Sequence, residues 1–178
     1  LASVQQEYLE KGFPTVQWDM YEAESIGYDK YDFFYPALRQ KRFLWEDFAS
    51  HYIEIVKSRV YNENKKFSEE ESNSAIYTLY YILENWLVLM YPIIPQITNV
   101  IAENLKVSLE SFPQAKKGKS NLELIQKIME FNSHVWKTKK EKGLTLRDPI
   151  SSIPIPKELK PFEKDLIGAN KNGDGKET

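Results

Sequence analysis

The chain has no cysteine in its 178 residues, which removes disulfides, thiolate zinc sites and cysteine nucleophiles together. Its seven glycines are scattered, and none builds a phosphate-cradling loop of either common type. The two histidines, His51 and His134, stand on different predicted helices with no metal-ligand spacing around them. No serine sits in a nucleophile-elbow context. The most apolar run, Trp86 to Ile97, is too short for a bilayer and is interrupted by Pro92 and Pro95. No signal peptide is visible, and a first residue of Leu1 rather than methionine leads one to expect an excised fragment or a processed chain. A formal net charge of −2 argues against sequence-blind nucleic-acid binding over the whole surface. The expectation is a cytoplasmic, non-catalytic chain with neither a membrane nor DNA as partner, and with no cofactor or metal of its own.

What the chain does have is apolar and aromatic side chains, 42% and 13% of its residues, set at helical spacing. Residues 32–62 read as one long amphipathic helix. Asp32 is its N-cap, Pro36 lies in the first turn, and Leu38, Trp45, Phe48, Tyr52, Ile55, Val56 and Arg59 form its buried stripe. Ser68 and Glu71 have capping-box spacing, which predicts a second helix from Glu69 to Tyr91 with Ile76, Leu79, Ile82, Leu83, Trp86, Leu89 and Met90 inside. Apolar over much of its circumference, it reads as the central helix. Pro92 ends it, and Pro95 opens a third helix with Ile97, Val100, Ile101 and Leu105 facing in. Asn121 caps a fourth, 122–142, with Leu122, Ile125, Ile128, Met129, Val135 and Trp136 buried and Gly143 as its stop.

The remaining segments are less regular. Lys106 to Phe112 alternates polar and apolar residues, and residues 143–156 are proline-punctuated, so both predict short strands or extended chain. Residues 1–27 suggest two short helices, 113–120 a polar loop, 157–168 a closing helix and 169–178 a disordered tail. The expected fold is therefore all-α: an antiparallel helical bundle with a small α/β appendage near its C-terminus. Its organisation is a helical bundle over 1–113, a C-terminal part over 114–168, and the tail.

Positive charge is local. Arg39, Lys41 and Arg42 fall within about one helical turn. Between Ala115 and Lys142 there are eight lysines against three acidic residues, an excess of five. Cations at a helix C-terminus also complement the macrodipole, so this second cluster has an ordinary structural explanation beside the functional one. Glu69, Glu70 and Glu71 are accounted for by capping and the dipole in the same way. The RNA-contact candidates are Arg39, Lys41 and Arg42 first, then Lys139, Lys140 and Lys142, then Lys57 and Arg59. Trp45 and Trp86 read as core.

Three ordered stretches carry a resemblance. DFFYPALRQKRFLWEDFASHYIEIVKSRVYN resembles the aromatic–acidic–aromatic helix of class I aminoacyl-tRNA synthetases for branched aliphatic amino acids, and WEDFASHYIEIVKSRVY is most similar to the archaeal-type valyl-tRNA synthetase family. SAIYTLYYILENWLVLMYPIIPQITNVIAENL looks like the helix pair that follows, with Tyr91-Pro-Ile-Ile-Pro95 as its elbow. SLESFP, KTKKEKGLTLRDPI and ELKPFEKDL keep the family's order to the end. The likeness spans about residues 28–168, and residues 1–27 depart from it. It implies a C-terminal anticodon-binding domain whose partners are a valine-accepting tRNA, held by its anticodon loop, and the enzyme's own catalytic domain. That domain would use ATP and magnesium, and its nucleotide-binding signatures are absent from this sequence. The same domain of an isoleucyl or leucyl enzyme, and a helical protein-interaction module with no RNA role, stand as alternatives.

Overall fold

The computed structural model describes residues 27–63, 65–112, 122–151 and 153–171. The expected short helices before Gly27, the polar loop after Phe112, the Asn121 cap and the tail beyond Lys171 lie outside them. The elements in order are α1 (Phe34–Arg42), a π-helical segment (Phe43–Ile53), α2 (Glu54–Tyr61), α3 (Glu69–Met90), α4 (Pro95–Leu105), α5 (Leu122–Glu141), a 3-10 turn (Lys157–Phe162) and α6 (Glu163–Asn170). The all-α class expected from the sequence is the class found. The expected strand pairing of Lys106–Phe112 with residues 143–156 is not: among the described residues there is no strand, and both segments are irregular chain.

The chain divides into two compact units. Among the described residues one takes in 27–46 and 76–112, the other 47–75 and 122–171, so both boundaries fall inside helices.

In the first unit the N-cap of α1 is Phe33, one residue after the expected Asp32, whose carboxylate instead accepts the Phe34 N–H at 3.1 Å, and Pro36 is buried in the first turn. The Tyr28 hydroxyl donates to the Leu89 carbonyl at 2.7 Å, and its ring lies edge-on to Phe112, 6.0 Å between centroids. Ile82, Leu87, Leu89, Met90 and Ala102 are buried here. After α3 the Ile93 and Ile94 amides both donate to the Met90 carbonyl, and Pro95 takes the first position of α4, as predicted. The register of α4 is not the predicted one. Thr98 and Ala102 are buried while Ile97 and Val100 face solvent. Thr98 can be enclosed because its hydroxyl donates to the Ile94 carbonyl at 3.0 Å.

In the second unit α2 packs on α6, and α6 and the 3-10 turn pack on α5. Ile55, Val56, Phe131, Val135, Leu159 and Leu166 are among the apolar side chains buried here. The crossing of α2 and α6 is close: a Cβ on Gly168 would lie 2.4 Å from the Ser58 hydroxyl oxygen, so only glycine fits. Arg59 of α2 reaches Asp165 of α6 through two hydrogen bonds, its Nε donating to Oδ1 at 2.9 Å and its Nη2 to Oδ2. Both side chains are buried, and the guanidinium also covers the Phe67 ring, 5.5 Å from its centroid. The capping box is formed in full: the Ser68 amide donates to Glu71 Oε2 at 2.8 Å and the Glu71 amide to Ser68 Oγ at 3.1 Å. α6 continues through Ala169 and Asn170, which composition had assigned to the tail, because Asn170 is buried and hydrogen-bonded.

The stripe expected along residues 32–62 is only half right. Ile55, Val56 and Arg59 are inside, but Leu38 and Trp45 are exposed. The physical reason is the π segment between them. Its i→i+5 pattern winds more slowly than an α-helix, so over eleven residues the apolar face falls behind by roughly half a turn. In α3, Ile76, Tyr77 and Tyr80 also face out, so this helix is not covered all round as its apolar sequence suggested.

Two outcomes follow from the second unit. Replacing Asp165 with alanine strands a buried guanidinium and should destabilise the chain by about 3–5 kcal/mol in urea unfolding, whereas Arg59→Met with Asp165→Leu should recover most of the loss. Ser68→Ala should cost about 1 kcal/mol. The Ser68 amide holds the Glu71 carboxyl below its ordinary pKa, helped by Lys164. A depressed carboxylate stabilises the fold above the ordinary range and loses that contribution as the pH falls through its folded value. Glu71→Gln removes the titrating carboxylate, so its stability deficit should shrink on acidification below the usual glutamate range, whereas the Ser68→Ala deficit should not depend on that titration.

Candidate nucleic-acid interface

The slow winding of the π segment sets what the N-terminal half of this long helix shows to solvent. Phe34, Leu38, Arg42 and Trp45 follow one another at three- and four-residue steps and, with neighbouring Tyr35, are all exposed, Phe34 at 69% and Trp45 at 72%. The Phe34 and Tyr35 rings meet edge to face, 5.3 Å between centroids. Arg39 and Lys41 are exposed on the same two turns and are in no ion pair among the described residues. Arg42 Nε donates to Glu46 Oε2 at 3.1 Å, with both side chains largely in water. An exposed pair of this kind is worth about 0–1 kcal/mol, so Arg42 is readily released to a phosphate. Aromatic faces beside unpaired cations are the equipment for holding unstacked bases and their backbone.

The structure thus leaves Arg39, Lys41 and Arg42 all exposed on the solvent side of α1, with Arg39 and Lys41 on opposite flanks of it. Reading the sequence by periodicity took Trp45 for core and passed over Phe34 and Tyr35. One signal was available: Phe33, Phe34 and Tyr35 are consecutive, and three neighbours on a helix cannot all point inward.

The other candidates separate. Lys57 is half exposed and donates to Glu54 at 2.6 Å. Arg59 is committed to Asp165 in the interior, and as placed it is a structural group with no face toward an RNA. Lys139 is fully enclosed, at 0% exposure, with its ammonium donating to the carbonyls of Leu146 at 2.9 Å and Asn170 at 2.6 Å. Burial lowers its pKa. It too is a structural cation, held where the ends of α5 and α6 and the loop after α5 meet and two carbonyl oxygens accept its protons. Lys140 and Lys142 remain exposed, Lys142 within 3.5 Å of the Ser151 hydroxyl. His51 stacks on Trp136, 5.3 Å apart and 10° from parallel, and its half-buried position lowers its pKa. Among the described residues no group of acidic side chains and histidines is placed to hold a metal, and no helix is long and apolar enough to cross a membrane.

An all-α scaffold with an exposed aromatic and cationic helix face carries the equipment of a helical nucleic-acid-binding module. Comparison with known proteins supplies the family. The model of the anticodon-binding domain of tRNA ligases matches residues 24–154. A valine–tRNA ligase of Nanoarchaeum equitans is 37% identical over 164 residues, covering 86% of this chain and 21% of that protein. Valine–tRNA ligases of Pyrobaculum aerophilum and Aeropyrum pernix are 32% and 30% identical, covering 80% and 92% of this chain. The chain belongs to the anticodon-binding domain family of tRNA ligases. It spans about a fifth of the length of these curated relatives.

If Trp45 is a surface residue, Trp45→Ala should leave thermal stability within about 0.5 kcal/mol of the parent chain. A core tryptophan would instead cost about 3–5 kcal/mol, and a loss of that size in thermal unfolding would put Trp45 inside.

Proposed function

We propose that this chain holds the anticodon stem-loop of a valine-accepting tRNA, as the RNA-gripping part of a cytoplasmic valine–tRNA ligase. ATP- and magnesium-dependent activation of valine, and its transfer to the tRNA, belong to a catalytic domain outside these 178 residues. The observation that carries the reading is the exposed face of α1 and the following turn, where Trp45 stands beside Arg42 with Arg39 and Lys41 next to them. The valine assignment draws support from the relatives named above, all of them valine–tRNA ligases.

Physically, the division of labour is simple. Anticodon bases at the tip of a loop are unpaired, so their faces can be splayed out and stacked on rings. Each base so stacked contributes about 1–3 kcal/mol, with little regard to its identity. Cations on the same helix fix the backbone and bring the loop to the rings, but carry no sequence information by themselves. Edge contacts that tell one anticodon from another need a rigid frame, and a helix fastened at its start by Asp32 and Pro36 gives one.

The test is a titration of the chain with an anticodon stem-loop RNA across a salt series. Arg39→Gln, Lys41→Gln or Arg42→Gln should each make the slope of log K against log salt shallower by about 0.7–0.9. Trp45→Ala should weaken binding by roughly five- to a hundredfold while leaving that slope unchanged. Binding by all four variants at parental strength would refute the assignment of this face.

A further inference from the structure

The Lys139 ammonium is the meeting point of three pieces of chain. One is the last turn of α5, which carries it. The second is the loop after α5, whose Leu146 carbonyl it holds at 2.9 Å. The third is the end of α6, whose Asn170 carbonyl it holds at 2.6 Å. Further hydrogen bonds tighten the junction. The Leu144 amide donates back to the Lys139 carbonyl at 2.9 Å, and the Ile150 amide donates to the Lys171 carbonyl at 3.2 Å. The Asn170 side-chain amide donates to Asn132 Oδ1 at 2.8 Å. Gly143, at φ +70°, makes the turn that lets the loop come back.

The residue that follows each tied position is a cation. Lys140 follows Lys139, Arg147 follows Leu146, and Lys171 follows Asn170. All three are exposed, and none is in an ion pair among the described residues. The Leu146 and Asn170 carbonyls are held at one nitrogen and consecutive Cα atoms are about 3.8 Å apart, so Arg147 and Lys171 start from one place, and Lys140 follows on α5 the lysine whose side chain reaches it. Lys171 is close enough for its charge to oppose protonation of Lys139. Asp148 also lies near the Lys139 ammonium, turned toward its own loop, where it accepts the Thr145 amide at 2.6 Å, and Glu141 adjoins Lys140.

We infer that Lys140, Arg147 and Lys171 form one phosphate-binding edge for an RNA backbone, and that Lys139 is the positioning residue that assembles it. This rests on the RNA-holding reading and adds to it a second backbone contact that includes Arg147 and Lys171. Buried Lys139 cannot touch the RNA. Its work is to keep three cations from spreading apart under their own repulsion, which two carbonyl acceptors and a packed stem accomplish.

The experiment uses the full chain and an anticodon stem-loop RNA. The triple variant Lys140→Gln, Arg147→Gln, Lys171→Gln should weaken binding and make the salt slope shallower by about two to three. Lys139→Met should weaken binding by about tenfold in the parent chain and by nothing further in the triple variant, since coupled residues are not additive. Asn132→Ala, a milder loosening, should show the same pattern at smaller size. Hydrogen exchange reads the junction without RNA: in Lys139→Met the Leu144 and Ile150 amides should lose protection while the core of α5 keeps it. An unchanged salt slope in the triple variant, an additive Lys139→Met, or retained amide protection would each overturn the inference. Failure of the parent chain to bind the stem-loop at low salt would overturn the RNA reading itself, whatever the exchange shows.

Discussion

The winding of the chain from Phe43 to Ile53 governs what the long helix between 34 and 61 can do. An α-helix throughout would carry Leu38, Trp45, Ile55 and Val56 along one side and bury them together. Slower π winding breaks that alignment, so the second half of the helix turns Ile55, Val56 and Arg59 inward while the first half leaves Phe34, Tyr35, Leu38 and Trp45 in water. The exposed rings stand on the same turns as Arg39 and Lys41, which are in no ion pair among the described residues, and Arg42, whose pairing with Glu46 lies in water. π segments recur at functional sites for this kind of reason: they re-aim side chains without breaking the helix.

Charge is then sorted by burial. The interior of the second unit uses two cations, each with its acceptors fixed. Arg59 suits a carboxylate because its planar fork meets both oxygens of Asp165. Lys139 suits two carbonyls because a point charge on a flexible stem can sit between chain ends that converge from different directions. Neither pairing is available to a ligand. The cations proposed above for RNA are surface ones: Arg39, Lys41 and Arg42 on one unit, Lys140, Arg147 and Lys171 on the other. A net charge of −2 is compatible with the proposed RNA partner, since the positive charge is placed rather than abundant.

Local signals in the sequence were dependable. The Ser68–Glu71 box, Pro95 at a helix start, Gly143 at a helix stop and the extents of α3 and α5 depend on neighbours within a few residues, and all are found where expected. Faces were less legible. Periodicity assumes a constant 100° step, and the π segment violates it, so Trp45 was assigned inward. Ile97 and Val100 looked like core because they are apolar, yet Thr98 took the buried place by satisfying its hydroxyl on its own helix. Arg59 and Lys139 looked like any other cations on a helix. Their partners, Asp165 and Asn170, are 106 and 31 residues away, and no local pattern announces a pairing at that distance.

The central claim is that an unpaired RNA loop lies against the Trp45 ring. It can be read directly in a chain whose tryptophans at 18, 86 and 136 are replaced by phenylalanine, leaving Trp45 as the sole indole. Iodide should quench this fluorescence strongly in the free chain and weakly once an anticodon stem-loop is bound. Quenching that stays as strong when the RNA is fully bound would contradict the account, because the loop would then be held somewhere else.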